Sequence, residues 1–79
     1  MGVKKNITKL LRNPTEMRIS EIVNLLAHYG FHLARIKGSH YIIESQLKTF
    51  IIPVHNGKVT KPYLKKIKFS IETYGKKET

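Results

Sequence analysis

The sequence predicts an α+β domain in the order helix, three strands, helix: a three-stranded antiparallel sheet with two helices packed on one of its faces. Three observations carry this. Two segments, residues 16–29 and 60–74, space their apolar residues at helical intervals. Between them lie three short runs rich in β-branched and aromatic residues, separated by glycine or polar turns. The chain has only 79 residues, too few for a second hydrophobic core, so both helices must cover the same sheet face.

Residues 1–14 form a basic leader in which Ile7, Leu10 and Leu11 hint at a short helix, interrupted by Asn13-Pro14. The domain itself is expected to span residues 15–75. Its first helix aligns Ile19, Ile22, Leu26 and Tyr29 on one face, with Val23 and Leu25 beside them, and Gly30 as its stop. Thr15 and Ser20 compete as its N-cap. Residues 31–37 lack helix signals and end at Gly38, which makes them a strand. Residues 41–44 form a second strand, residues 45–49 a loop and residues 50–55 a third strand. Pro53 can donate no ladder hydrogen bond, which puts that third strand at a sheet edge or bends it there. Asn56-Gly57-Lys58 is a turn signal. Thr60 then caps a second helix with Pro62 in its first turn and Leu64, Ile67, Ile71 and Tyr74 on one face, closed by Gly75. Tyr63, Tyr74, Phe50 and Phe69 read as packing residues, and residues 76–79 as a frayed polar tail.

Composition narrows the function. Fifteen Lys and Arg against five acids give a formal net charge of +10, a field that polyanions sense before any specific contact forms. Nucleic acid or an acidic protein is the expected partner. A membrane fits less well, since the lysines are spread along the chain rather than gathered on one helix face. With no cysteine there is no disulfide framework, thiolate catalysis or Cys-ligated metal, and a cytoplasmic location is expected. The acids are scattered and none is Asp, so paired-carboxylate two-metal chemistry is not expected. His28, His32, His40 and His55 show no metal-ligand spacing, no phosphate-cradling glycine loop is present, and no metal or cofactor is predicted.

What remains is Lys37-Gly38-Ser39-His40 between the first two strands. Glycine permits turn dihedrals, serine adds a hydroxyl, and an imidazole at a strand start can exchange protons near neutrality without a metal. Local sequence alone favours a plain β-turn with a half-exposed histidine. His55, after Pro53-Val54, is a second histidine that could act as partner acid or contact phosphate. Lys58, Lys61 and Lys65 are further candidates for phosphate contact, weighed against a simple solubilising role. His28 suits the negative end of its helix, and Tyr41 could either stack on a base or pack in the core.

The helix ending in Tyr29-Gly30-Phe31, Gly38-Ser39-His40 preceded by Lys37, the Ile52-Pro53-Val54-His55 strand and the lysine-bearing turn into a last helix together resemble HicA-type toxins of toxin–antitoxin systems. The resemblance covers roughly residues 18–74. It implies a double-stranded-RNA-binding-domain-like (dsRBD-like) fold, messenger-RNA cleavage independent of the ribosome with the catalytic histidine carried onto His40, and a HicB-type antitoxin that blocks the site. Two features depart from the pattern, the compact loop at residues 45–49 and the basic leader. The alternatives are a non-catalytic RNA-binding module of the same fold and a small basic regulator of an acidic partner.

Overall fold

A computed structural model describes residues 2–75. Its elements run α1 (Val3–Leu11), β1 (Glu16–Arg18), α2 (Ile19–His28), β2 (His32–Lys37), β3 (His40–Glu44), β4 (Thr49–Pro53), β5 (Lys58–Thr60) and α3 (Lys61–Tyr74). The expected tail at residues 76–79 lies outside the described residues.

The α+β class holds. β2, β3 and β4 form an antiparallel sheet in the order β2-β3-β4, and its pairing register assigns the two faces. Leu33, Ile43 and Phe50 form one cross-strand row and Ile36, Tyr41 and Ile52 another. Their face meets Ile22, Leu25 and Leu26 of α2 and Leu64 and Ile67 of α3 in a single core that also takes in Phe31, Met17 and Val59. Ile22, Leu25 and Val59 are completely buried, and each such side chain contributes roughly 1.5–3 kcal/mol through its removal from water. The opposite rows, Arg35–Ile42–Ile51 and Lys37–His40–Pro53, belong to the outer face.

The leader is part of this core. α1 lays Leu10 against the central cluster, Asn6 Nδ2 donates to Asn24 Oδ1 at 2.8 Å, and Lys9 Nζ reaches Glu21 Oε2 at 2.8 Å. Glu21 is almost fully enclosed, and its other oxygen accepts the Arg18 N–H at 3.0 Å. The hydrogen bond from Lys9, with the Arg18 N–H as a lesser cause, holds this carboxyl below the usual glutamate range despite its burial.

Four expectations need correction. The first domain helix begins at Ile19 rather than near residue 16, and neither Thr15 nor Ser20 caps it. Glu16–Arg18 instead pairs antiparallel with Lys58–Thr60, which keeps the chain extended until Arg18, the actual N-cap. Met17 is buried between exposed Glu16 and Arg18, a two-residue alternation too short to compete with the helical period beside it. The third strand stops at Pro53, leaving Val54 and His55 to lead into the turn. Thr60 stands at the N-cap of α3 but makes no side-chain capping bond. Finally, Phe69 is 64% exposed and is no packing residue, because it lies off the stripe formed by Leu64, Ile67 and Ile71.

Tyr41, Phe50, Tyr63 and Tyr74 do pack against the core. Pro53 ends an outer strand, as its missing N–H demands. No helix among the described residues is long and apolar enough to cross a membrane.

Candidate functional site

Two tight turns stand at one end of the sheet. In the first, Lys37 and His40 are cross-strand partners closing a two-residue hairpin. Gly38 has φ +61° and Ser39 is not in the left-handed region, the dihedral pattern of a type II′ turn, whose twist matches the flanking strands. Only glycine takes the first central position of that turn without strain. The second turn, His55-Asn56-Gly57-Lys58, is closed by a β-bridge between His55 and Lys58. Asn56 and Gly57 have φ +52° and +73°, the type I′ pattern. Each turn is thus bounded by one lysine and one histidine.

Hydrogen bonds fix the two turns against one another. The Val54 N–H donates to the Ser39 carbonyl at 2.8 Å, just beyond the His40–Pro53 pair. The second turn is anchored in addition to the start of α2, since the Ile19 N–H donates to the Gly57 carbonyl at 2.9 Å. His40, Lys37 and Ser39 are all exposed, as are His55 and Lys58. The His40 ring is therefore accessible to a polymeric substrate.

The remaining predicted residues separate into two groups. Lys58 does not present a free ammonium, because its Nζ lies 2.8 Å from Glu16 Oε2 across the β1–β5 pair. Its partner is remote in sequence, and the strand that carries it was read as helix, so the pairing could not be foreseen. Lys61 is the first residue of α3, exposed directly after β5. Lys65 lies one helical turn further on, where it borders both the groove between α3 and β4 and, with Lys61, a small hollow beside Asn13 and Pro14. His28 ends α2 with its ring edge-on to Tyr29, and His32 lies across from Glu44 at 3.6 Å, so both have structural surroundings of their own.

Sequence reasoning missed Arg35. It is exposed on the outer face, in the row next to Lys37 and His40. The signal was available in the alternation of residues 32–37, but a bulge between Leu33 and Arg35 shifts that alternation by one residue and hides it. Among the described residues no three His or acidic side chains gather as a metal ion would require.

No curated protein and no solved structure matches the chain. The family model described as HicA toxin of bacterial toxin-antitoxin matches residues 19–70. That span runs from the first residue of α2 through both lysine–histidine turns and most of α3. It takes in every element of the sheet face and site described above except β1 and α1, and it is well over half of the sequence; the chain belongs to the HicA toxin family.

Proposed function

We propose that this HicA-family chain is an endoribonuclease that cuts messenger RNA without a metal ion, with His40 as the proton-transferring residue. The observation that carries this reading is an exposed imidazole fixed at the end of a rigid turn, directly opposite a lysine. RNA contains its own nucleophile, so a protein need only move protons and offset charge. In the proposed reaction a base removes the proton from a ribose 2′-OH. The 2′ oxygen attacks the adjacent phosphorus, the bond from phosphorus to the 5′ oxygen breaks, and the departing oxygen takes up a proton. The products are a 2′,3′-cyclic phosphate and a 5′-hydroxyl.

His40 fills one proton-transfer role and His55, in the tethered second turn, is proposed for the other. Lys37 would hold the phosphate, with the exposed Gly38-Ser39 backbone allowing its close approach. Lys58 is neutralised by Glu16 in this arrangement and would reach a phosphate only by exchanging that partner. Lys61, next along the chain, is proposed to guide the RNA backbone towards the turns. A HicB-type antitoxin is the proposed protein partner, acting by covering His40, and the proposed place of action is the cytoplasm.

The test is cleavage of a defined messenger RNA with chelator present, comparing wild type with His40→Ala. Wild type should yield cyclic-phosphate ends and the variant intact RNA. Linear 3′-hydroxyl ends, or equal cutting by both, overturn the assignment. Salt-sensitive RNA binding without cutting by either would identify a binding module instead.

A further inference from the structure

The two outer edges of the three-stranded sheet are not alike. β2 carries a bulge between Leu33 and Arg35 and two cations, Arg35 and Lys37, the devices that keep an exposed edge from pairing with foreign strands. β4 has neither. Its five residues pair in unbroken register with β3, and the run Thr49-Phe50-Ile51-Ile52 bears no charge.

The hydrogen-bonding parity of this strand follows from two bonds at its ends. Ser45 N–H donates to the Lys48 carbonyl and Val54 N–H to the Ser39 carbonyl. Both lie on the same antiparallel ladder, in which bonded and non-bonded pairs alternate. Phe50 and Ile52 therefore direct their main-chain groups to β3, whereas Thr49, Ile51 and Pro53 direct theirs outward. Pro53 has no N–H to offer, so a strand added here would find two donors, Thr49 and Ile51, and then a stop.

A groove of about 470 Å³ runs beside this edge, between β4 and α3. Residues 48–52 line it consecutively, which identifies it as following the strand edge, since a face would be lined by alternate residues. Phe69 from α3 and Ile51 flank it, 64% and 56% exposed. Lys65 and Lys66 stand on its helical wall and Lys48 at one end, and no carboxylate lines it among the described residues. Lys66 is held over the Tyr63 ring at 5.5 Å and Lys48 over the Tyr74 ring at 5.8 Å.

We infer that this groove receives an extended acidic segment of a partner protein, added to β4 as a fourth strand through the main-chain groups of Thr49 and Ile51. Acidic side chains of the segment meet Lys65 and Lys66, and an apolar one covers Phe69. A nucleic acid fits less well: a base could stack on Phe69, but it has no amide ladder to pair with the outward main-chain groups of Thr49 and Ile51. No residue of the two lysine–histidine turns lines the groove and the peptide test requires no RNA cleavage, so its outcome is distinguishable from that of the nuclease assignment.

The probe is a capped peptide of alternating Glu and Val, titrated into the full-length isotope-labelled chain while amide exchange is followed by NMR. Binding should slow exchange at Thr49 and Ile51 by about ten-fold or more, with little change at Phe50 and Ile52, which are already bonded to β3. Lys65→Glu combined with Lys66→Glu, both on the exposed side of α3, should weaken the peptide by about ten-fold or more at low salt. Ile51→Pro, which removes an outward N–H and no bond to β3, should do the same. Protection at the β2 edge instead, equal binding by the charge-reversed variant, equal binding of a Lys-for-Glu peptide, or no saturable binding overturns the inference. So does displacement of the peptide by a single-stranded RNA oligonucleotide that contacts Thr49 and Ile51 more tightly.

Discussion

The Ser39 carbonyl accepts a hydrogen bond from the Val54 N–H at 2.8 Å, which carries the β3–β4 pairing one step past His40–Pro53 and ties the turn bearing His40 to the segment bearing His55. Two histidines on separate flexible loops would lose entropy each time they met a substrate. Here that loss is met once, on folding, by a main-chain bond that only a proline in place of Val54 would remove.

Replacing His40 should separate catalysis from stability. His40→Ala is expected to lower the cleavage rate by roughly 10²–10⁴-fold, the usual contribution of a positioned proton-transfer group. The side chain is exposed, so the unfolding free energy should move by no more than about 0.5 kcal/mol. Single-turnover cleavage and a denaturant titration on one preparation measure both.

Gly38→Ala should act through the backbone alone. A methyl group built on Gly38 meets nothing within 4 Å, yet its φ is +61°, a conformation that costs an alanine about 1–2 kcal/mol. Urea midpoints should fall accordingly, and cleavage should fall further than stability does, because the Lys37–His40 pair loses its fixed geometry.

Acid should loosen α1. Glu21 has a carboxyl held below its ordinary range, chiefly by the hydrogen bond from Lys9, so its contribution is fully present above the unfolded-state value near 4.5. That contribution is lost as pH falls through the lower folded value. Amide exchange in α1 should therefore accelerate below pH 4.5 while β3 remains protected. Glu21→Gln should flatten that dependence and cost about 1–2 kcal/mol at neutral pH.

Ile22→Ala should be close to unfolding. The side chain is wholly buried, and such truncations cost about 2–5 kcal/mol. A domain of this size has little stability to spare, so loss of thermal cooperativity by circular dichroism is the expected result. The matching change at exposed Leu47 should be nearly silent.

Much of this architecture was legible in the sequence because period and punctuation agreed. Leu64, Ile67 and Ile71 repeat at helical spacing, Gly38 follows β2 and Pro53 ends β4, and Lys37-Gly38-Ser39-His40 is short enough for only a tight turn. The hidden parts were non-local. Nothing near Glu16 indicates that it will meet Lys58, and a three-residue strand such as β1 has no period of its own. The exposure of Phe69 was hidden for a related reason: helical spacing says which residues share a face, but not what a neighbouring strand leaves open beside it.

The pairing of β1 with β5 joins Glu16 to Thr60, with α2 and the whole three-stranded sheet in the loop between them. Such a long loop must close before either strand gains anything, which slows folding relative to a chain of local contacts. A nascent polypeptide still awaiting residues 58–60 cannot seat its second turn, because the strand that anchors it has no mate. The second lysine–histidine turn is therefore seated later than the Lys37–His40 hairpin, whose partners are neighbours in the chain.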